Sequence, residues 1–193
     1  MECKNGKYYV FYHRQTNGHC YSRQACAEEI KLLPNGTFKQ AEITSCGLNG
    51  GPLIAEGKYE ARIACNLFSK KGVYFYGAVK PFKSCHPYFT QTGKDREQNG
   101  DQYIANFCNG ATAGFKYFAF NNNQKITVTV GGKARGIIEL KDCLNGNIIG
   151  VIEVNCKKNR QKFIAKLNVE NGVKPLYFTY KGKGKLNFYS FEF

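Results

Sequence analysis

Short runs in which apolar or aromatic residues alternate with polar ones, broken by Gly and Asn, recur along most of the chain. That is the period of half-buried antiparallel strands rather than of helices. KITVTV is the plainest case, with Ile126, Val128 and Val130 on one face and Thr127 and Thr129 on the other. From Gln102 onward, QYIANF, AGFKYFAF, KITVTV, GIIELKD, NIIGVIEV, KFIAKLNV, KPLYFTYKG and KLNFYSFEF are separated by NGAT, NNNQ, GGKAR, CLNG, NCKKNRQ, ENGV and GKGK. About eight short strands with no helical pattern between them predict an all-β protein, a β-sandwich whose most economical form is a jelly roll. A parallel α/β fold is excluded.

The first part of the chain follows the same grammar on a smaller scale. KYYVFY, from Lys7 to Tyr12, is an aromatic and β-branched strand, and Asn17-Gly18 signals a hairpin after it. CYSRQAC leads into EEIKLL, and Pro34-Asn35-Gly36 marks a turn before TFKQAEIT. The result is about three or four short strands, too few for a core of their own. Cys46 to Gly57, CGLNGGPLIAEG, has the Gly-rich composition of a connection. Residues 1–56 are accordingly expected to be a small antiparallel β segment with its linker, and residues 57–193 the sandwich. Within the latter, YEARIACNLF and the segment Gly72 to Phe82 come before a polar stretch expected to be a loop over Gly93 to Gly100.

Composition agrees with strands, since 15 Phe and 13 Tyr stand beside 21 Gly with one Met and no Trp. Lys and Arg outnumber Asp and Glu by 28 to 14, a net charge of +14 that attracts polyanions. Without a nucleic-acid motif this reads as a lysine-rich surface, and no specific nucleic-acid partner is expected. The nine cysteines lack a CxxC pair, and Cys20 and Cys26 around His19 miss the usual zinc intervals, so free thiols in a reducing cell are expected. MECKNGKYYV has no apolar signal core, and no run approaches the roughly 18 apolar residues of a membrane helix. The chain as given reads as cytoplasmic, with secretion of a parent protein open if a signal lies upstream. In KDREQNGDQ, Asp95, Glu97 and Asp101 offer oxygen ligands for Ca2+, against the reading of a solvated turn. No other cofactor is suggested.

Two stretches carry a more specific resemblance. YHRQTNGHCYSRQACAEEIKLLPNGTFKQAEITSCGLNGGPL resembles the closing part of the catalytic domain in family 43 glycoside hydrolases of the β-xylosidase and α-L-arabinofuranosidase type. HPYFTQTGKDREQNGDQYIANFCNGATAGFKYFAF, with KPLYFTYKGKGKLNFYSFEF, resembles the family 6 type carbohydrate-binding module appended to such enzymes. The resemblance implies that the N-terminal segment is the last blade of a five-bladed propeller. His13 matches a histidine near the propeller axis that binds a metal ion or water, and Arg23 an arginine that contacts the sugar. Each has a plainer reading, His13 as a strand-end imidazole and Arg23 as a solvated guanidinium. The family's acid and base carboxylates come from earlier blades. Nothing in this chain matches them, so the chain alone is not expected to be an enzyme, whereas a longer parent would be a xylosidase or arabinofuranosidase.

Sugars stack their C–H faces on aromatic rings while amides and charges bind the hydroxyls. The module offers Tyr88, Tyr103, Phe107, Tyr117, Tyr177, Tyr180 and Tyr189, most of which must be core. The resemblance implies a cleft of two aromatics and an Asn, for which Tyr88, Tyr103 and Asn187 are the candidates, with Lys185 in place of Asn187 if the alignment shifts by two. Where the second aromatic is expected, CKKNRQKF supplies Lys158, Asn159 and Arg160. Where the family's calcium site has an EAE-like string, this chain has EAR, with Arg62 in place of the second Glu. The implied partner is a xylan or arabinoxylan oligosaccharide, bound weakly or vestigially. The alternative is a basic polyanion-binding protein built on Lys157, Lys158, Arg160, Lys162, Lys181, Lys183 and Lys185. The apolar face of Tyr8, Tyr9, Phe11 and Tyr12 suggests a homodimer formed through the N-terminal segment.

Overall fold

A computed structural model describes residues 2–4, 6–17, 19–72, 85–92 and 101–193. The segment 72–82 and the expected loop at 93–100 therefore lie, but for Gly72, outside the described residues. Strands β1 (Glu2–Lys4), β2 (Lys7–Thr16) and β3 (His19–Ile30) form a three-stranded antiparallel sheet in that order. The hairpin is longer than the sequence pattern suggests, since β2 continues through HRQT before it turns at Asn17, whose φ is 56°.

The expected turn at Pro34-Asn35-Gly36 is present, with the Leu33 N–H donating to the Thr37 carbonyl at 2.7 Å, but no strand follows it. TFKQAEIT makes only an isolated bridge, Leu32 to Phe38. At its end the Thr44 N–H donates to the Glu28 carboxylate at 2.8 Å, and just past it the Ser45 N–H donates to the Lys116 carbonyl at 2.5 Å.

The rest of the chain is a sandwich. Its strands are β4 (Leu53–Ile54), β5 (Lys58–Glu60), β6 (Asn66–Phe68), β7 (Tyr88–Gln91), β8 (Gln102–Phe107), β9 (Thr112–Phe120), β10 (Lys125–Lys141), β11 (Ile148–Cys156), β12 (Gln161–Lys166) and β13 (Gly172–Glu192). Sequence reasoning breaks β10 at GGKAR and β13 at GKGK, yet both run through. The two breaks face each other, because Gly136 pairs with Gly182 and Ala134 with Gly184. A Cβ at Gly136 or Gly182 would collide with a carbonyl of the opposite strand. The glycines let two paired strands bend together instead of ending.

That bend makes two layers from one sheet. The first half of β10 pairs with β12 and its second half with β11, while β13 pairs first with β9 and later with β8 and β5. Phe115 and Phe118 of β9 meet Phe188 and Phe191 of β13 between the layers. Ile104, Val128, Ile138, Leu140 and Phe178 complete the buried centre. Leu53 and Ile54 also belong here, pairing in parallel with Phe118 and Ala119, and Ala55 enters the core.

The described cysteines Cys26, Cys46, Cys65, Cys85, Cys108, Cys143 and Cys156 are all free thiols. Burial pushes the Cys108 thiol up to about 12, with its side-chain hydrogen bonding to Cys85 as the next cause, and burial also raises Cys156. The reactive thiolate is scarce at both positions near pH 8. An alkylating reagent at that pH should therefore label exposed Cys85 and Cys143 and spare Cys108 and Cys156 in the native chain. Peptide mapping that found Cys108 labelled as fast as Cys143 would contradict this packing.

Candidate functional site

Two cavities differ in how far their polar groups are already satisfied. The first, about 320 Å³, lies between the hairpin and residues 43–48 and 62–65, with Tyr12, Arg14, Cys26 and Glu28 in its wall. Its charges are already satisfied. Glu28 is buried and accepts from the Thr44 N–H at 2.8 Å, the Thr44 hydroxyl at 2.7 Å and the Tyr12 hydroxyl at 3.1 Å. Burial, then Glu28 itself, pushes the Tyr12 phenol far up. Arg14 donates to Gln24 at 2.8 and 2.9 Å and to the carbonyls of Ala64 and Arg62, and its guanidinium lies 3.6 Å from the centre of the Phe89 ring. This is a joint between hairpin and sandwich, built from saturated hydrogen bonds.

The second cavity, about 310 Å³, is lined by Lys58, Glu60, Arg62, Asp101, Gln102, Thr129, Arg160, Tyr189 and Ser190. Alternation along β13 buries Leu186 and Phe188 and leaves Asn187 and Tyr189 half-buried. Tyr189 is the extra residue of a bulge, since Thr129 pairs with Ser190 and Val130 with Phe188. Its ring meets that of Tyr103 at 4.7 Å, tilted by 40°. The Arg160 guanidinium lies 4.0 Å from the Tyr189 ring centre and donates to Asp101 at 2.5 Å. Gly131 makes the room: a Cβ there would stand 3.3 Å from the Tyr189 ring and 3.4 Å from the Asn159 carbonyl.

Electrostatics follow from these contacts. The hydrogen bond to Asp101 raises the Arg160 value further. Burial raises the Tyr103 phenol, with Tyr189 adding and Arg160 opposing, and burial raises Tyr88 with Tyr103 adding. The Gln102 side-chain oxygen is buried with no hydrogen-bond partner among the described residues. The cavity thus offers the Tyr189 ring, with Tyr103 packed against it, a planar cation and an acceptor without a donor, a set suited to polyhydroxylated ligands.

The structure brings some expected residues together and separates others. Tyr103 joins the cluster, and Tyr88 lies one diagonal away, since β7 pairs Thr90 with Tyr103 and Tyr88 with Ala105. Asn187 stands two positions before Tyr189 on the same strand, opposite Gly131. His13 and Arg23 are both exposed and share a face of the hairpin, opposite Ala25 and Gln15, and neither lines this cavity. Asp101 is engaged by Arg160, and Asp95 and Glu97 lie outside the described residues. Arg62 donates to Glu60, so the EAR string neutralises its own carboxylate. No three His, Cys, Asp or Glu side chains among the described residues are grouped to hold a metal, and no helix there is long and apolar enough to cross a membrane.

The depression lies on a two-layered antiparallel sandwich, and the comparisons with known proteins concern that fold. The chain is 42% identical over 188 residues to a xylosidase/arabinosidase of Thermoclostridium stercorarium, covering 97% of this chain but only 40% of that protein. A family 6 carbohydrate-binding module of Clostridium stercorarium, solved with cellobiose, superposes with a TM-score of 0.57 at 17% identity, over 75% of this chain and 97% of that one. A family 43 arabinoxylan arabinofuranohydrolase of Bacillus subtilis, solved with cellotetraose, matches with a TM-score of 0.59 at 16% identity, over 98% of this chain and 39% of that one. No family model matches. The chain therefore spans less than half the length of its curated relative, and its fold is that of the C-terminal region of a family 43 glycoside hydrolase with its family 6 type module.

Proposed function

We propose that this chain is the non-catalytic, glycan-binding part of a glycosidase that acts on xylan or arabinoxylan. The observation that carries the reading is an open depression lined by Tyr189, Arg160 and Gln102, with Tyr103 packed against the Tyr189 ring. The relative's name and the sugars in the two solved structures support the choice of ligand class. Tyr103 supplies the stacking surface, while Asn187 and Gln102 serve the hydroxyls. Arg160 takes the position where a second aromatic would be expected. Because it covers the Tyr189 ring, less aromatic surface remains for a sugar, and affinity is weak.

Calorimetric titration of the full chain with xylohexaose should give a dissociation constant near the millimolar range, about −4 kcal/mol. Tyr103→Ala should weaken it by about tenfold, in line with an aromatic contact of roughly 1 kcal/mol or more. Neutral-sugar affinity that Tyr103→Ala left unchanged would move the site elsewhere. The same chain should release no chromophore from aryl xylosides or arabinofuranosides, since no residue in it matches the family's catalytic carboxylates, and turnover that survived several purification steps would refute this part.

A further inference from the structure

Cations crowd the corner where β10 and β13 bend. Lys133 and Arg135 of β10 pair directly with Lys185 and Lys183 of β13. Lys157 follows the end of β11, and Lys158 is drawn onto the same corner by the Gly132 N–H, which donates to its carbonyl at 3.0 Å. All six side chains are exposed, and none forms an ion pair among the described residues. Like charges directly opposite one another destabilise a sheet, so this arrangement runs against fold stability.

Carboxylates are available on the same strands but stand further along. Glu139 pairs with Lys181 at 2.7 Å, and Glu153 stands opposite Ile137, beyond the cationic pairs. Charge is thus segregated along the strands, and the charged residues paired at this end are all cations among the described residues. The backbone beneath it is fixed: the buried Tyr180 hydroxyl lies 2.6 Å from the Lys183 carbonyl and 3.2 Å from that of Arg135, donating to one at a time. Asn109 accepts from the Gly182 N–H at 3.1 Å.

This corner is continuous with the aromatic depression. Lys133, Lys183 and Lys185 precede or face the stretch that carries Gly131, Asn187 and Tyr189, and the Lys158–Arg160 turn borders both. The Arg160–Asp101 pair is itself exposed, at 42% and 56%, so its contribution is small and another carboxylate can replace Asp101 on the guanidinium fork. A bare phosphate polymer would use the cations and leave the aromatic pair idle. A glycan with carboxylate groups uses both.

We propose that the ligand is a carboxylate-bearing glycan whose sugar rings sit at Tyr103 and Tyr189 while its uronate groups lie on Arg160 and the Lys133, Arg135, Lys183 and Lys185 corner. The inference rests on the glycan-binding reading above and specifies its substrate class. Uronate groups occur as substituents on a neutral backbone or along a polyuronate chain, and the test separates these sources.

Calorimetry on the full chain would compare xylohexaose, a xylo-oligosaccharide of equal length bearing one glucuronate, an oligogalacturonate of equal length and a short DNA duplex. At about 20 mM salt the glucuronate-bearing chain should bind about tenfold more tightly than xylohexaose, and at about 300 mM that advantage should shrink to less than about twofold. R135Q/K183Q should remove the advantage and leave xylohexaose affinity unchanged. Should that variant lose its native spectrum, Lys133→Gln alone and the salt series on the parent chain give the same readout. A greater gain for the oligogalacturonate would support the proposal with a polyuronate as the source. Equal binding of neutral and charged xylo-oligosaccharides would overturn the inference and leave the glycan reading standing. Binding of xylohexaose with DNA preferred over both uronates would overturn it in favour of a general polyanion surface. No binding of any glycan would overturn both.

Discussion

Phe191→Ala should destabilise the chain by about 3–5 kcal/mol, the range for emptying a large aromatic site in a packed core. Phe191 is 1% exposed and touches the rings of Phe115, Phe118, Phe178, Phe188, Phe193 and Tyr59, which come from both layers and from β5. No single neighbour can move into the space without abandoning another contact. Because domains are stable by only about 5–15 kcal/mol, the loss removes a large share of the total. Urea unfolding followed by tyrosine fluorescence reads it directly. Val173→Ala, at a site 56% exposed, is the control and should change stability by less than about 0.5 kcal/mol. A Phe191→Ala loss below about 1 kcal/mol would mean that the two layers do not meet at this residue.

Gly184→Ala should cost about 3 kcal/mol, from a strained backbone together with a steric collision. The φ of Gly184 is +84°, in the region that L side chains avoid, and an added Cβ would run into the Lys133 carbonyl of β10. That carbonyl cannot swing aside, because it belongs to the long β10–β13 ladder. The variant should unfold at lower urea with a similar slope, whereas Gly172→Ala, at φ +125° but with open space around it, would show the backbone contribution alone. Equal losses in the two variants would remove close approach at the bend as a determinant of the fold.

These two positions also show how far the sequence could be read. Phe191 lies in KLNFYSFEF, whose alternation marks a strand and whose aromatic content marks a core, so its burial was legible. Gly184 was legible as an interruption, but its meaning was not. GGKAR and GKGK look like turns when each is read alone, and only their juxtaposition across β10 and β13 shows that the glycines serve a shared bend. TFKQAEIT departs from its pattern for a related reason, since its end is tied by the Thr44 N–H to the Glu28 side chain rather than to a neighbouring strand.

Of the residues proposed for the site, Tyr103 and Asn187 come from the family resemblance. The contact between Arg160 and Tyr189 could not be foreseen, because Arg160 sits in a turn that reads as solvated and the space between them depends on the missing side chain of Gly131. His13 and Arg23 illustrate the opposite case. Their assignment came from the resemblance alone, and in this chain both stand exposed on the hairpin.

The most direct test of the central claim is a chemical-shift map of the full chain titrated with xylohexaose. Perturbations centred on Tyr103, Gln102, Asn187, Tyr189 and Arg160, saturating together at millimolar sugar, are the predicted result. A saturable response confined to the hairpin cavity around Tyr12, Cys26 and Glu28, or no response from any residue of the sandwich, would contradict it.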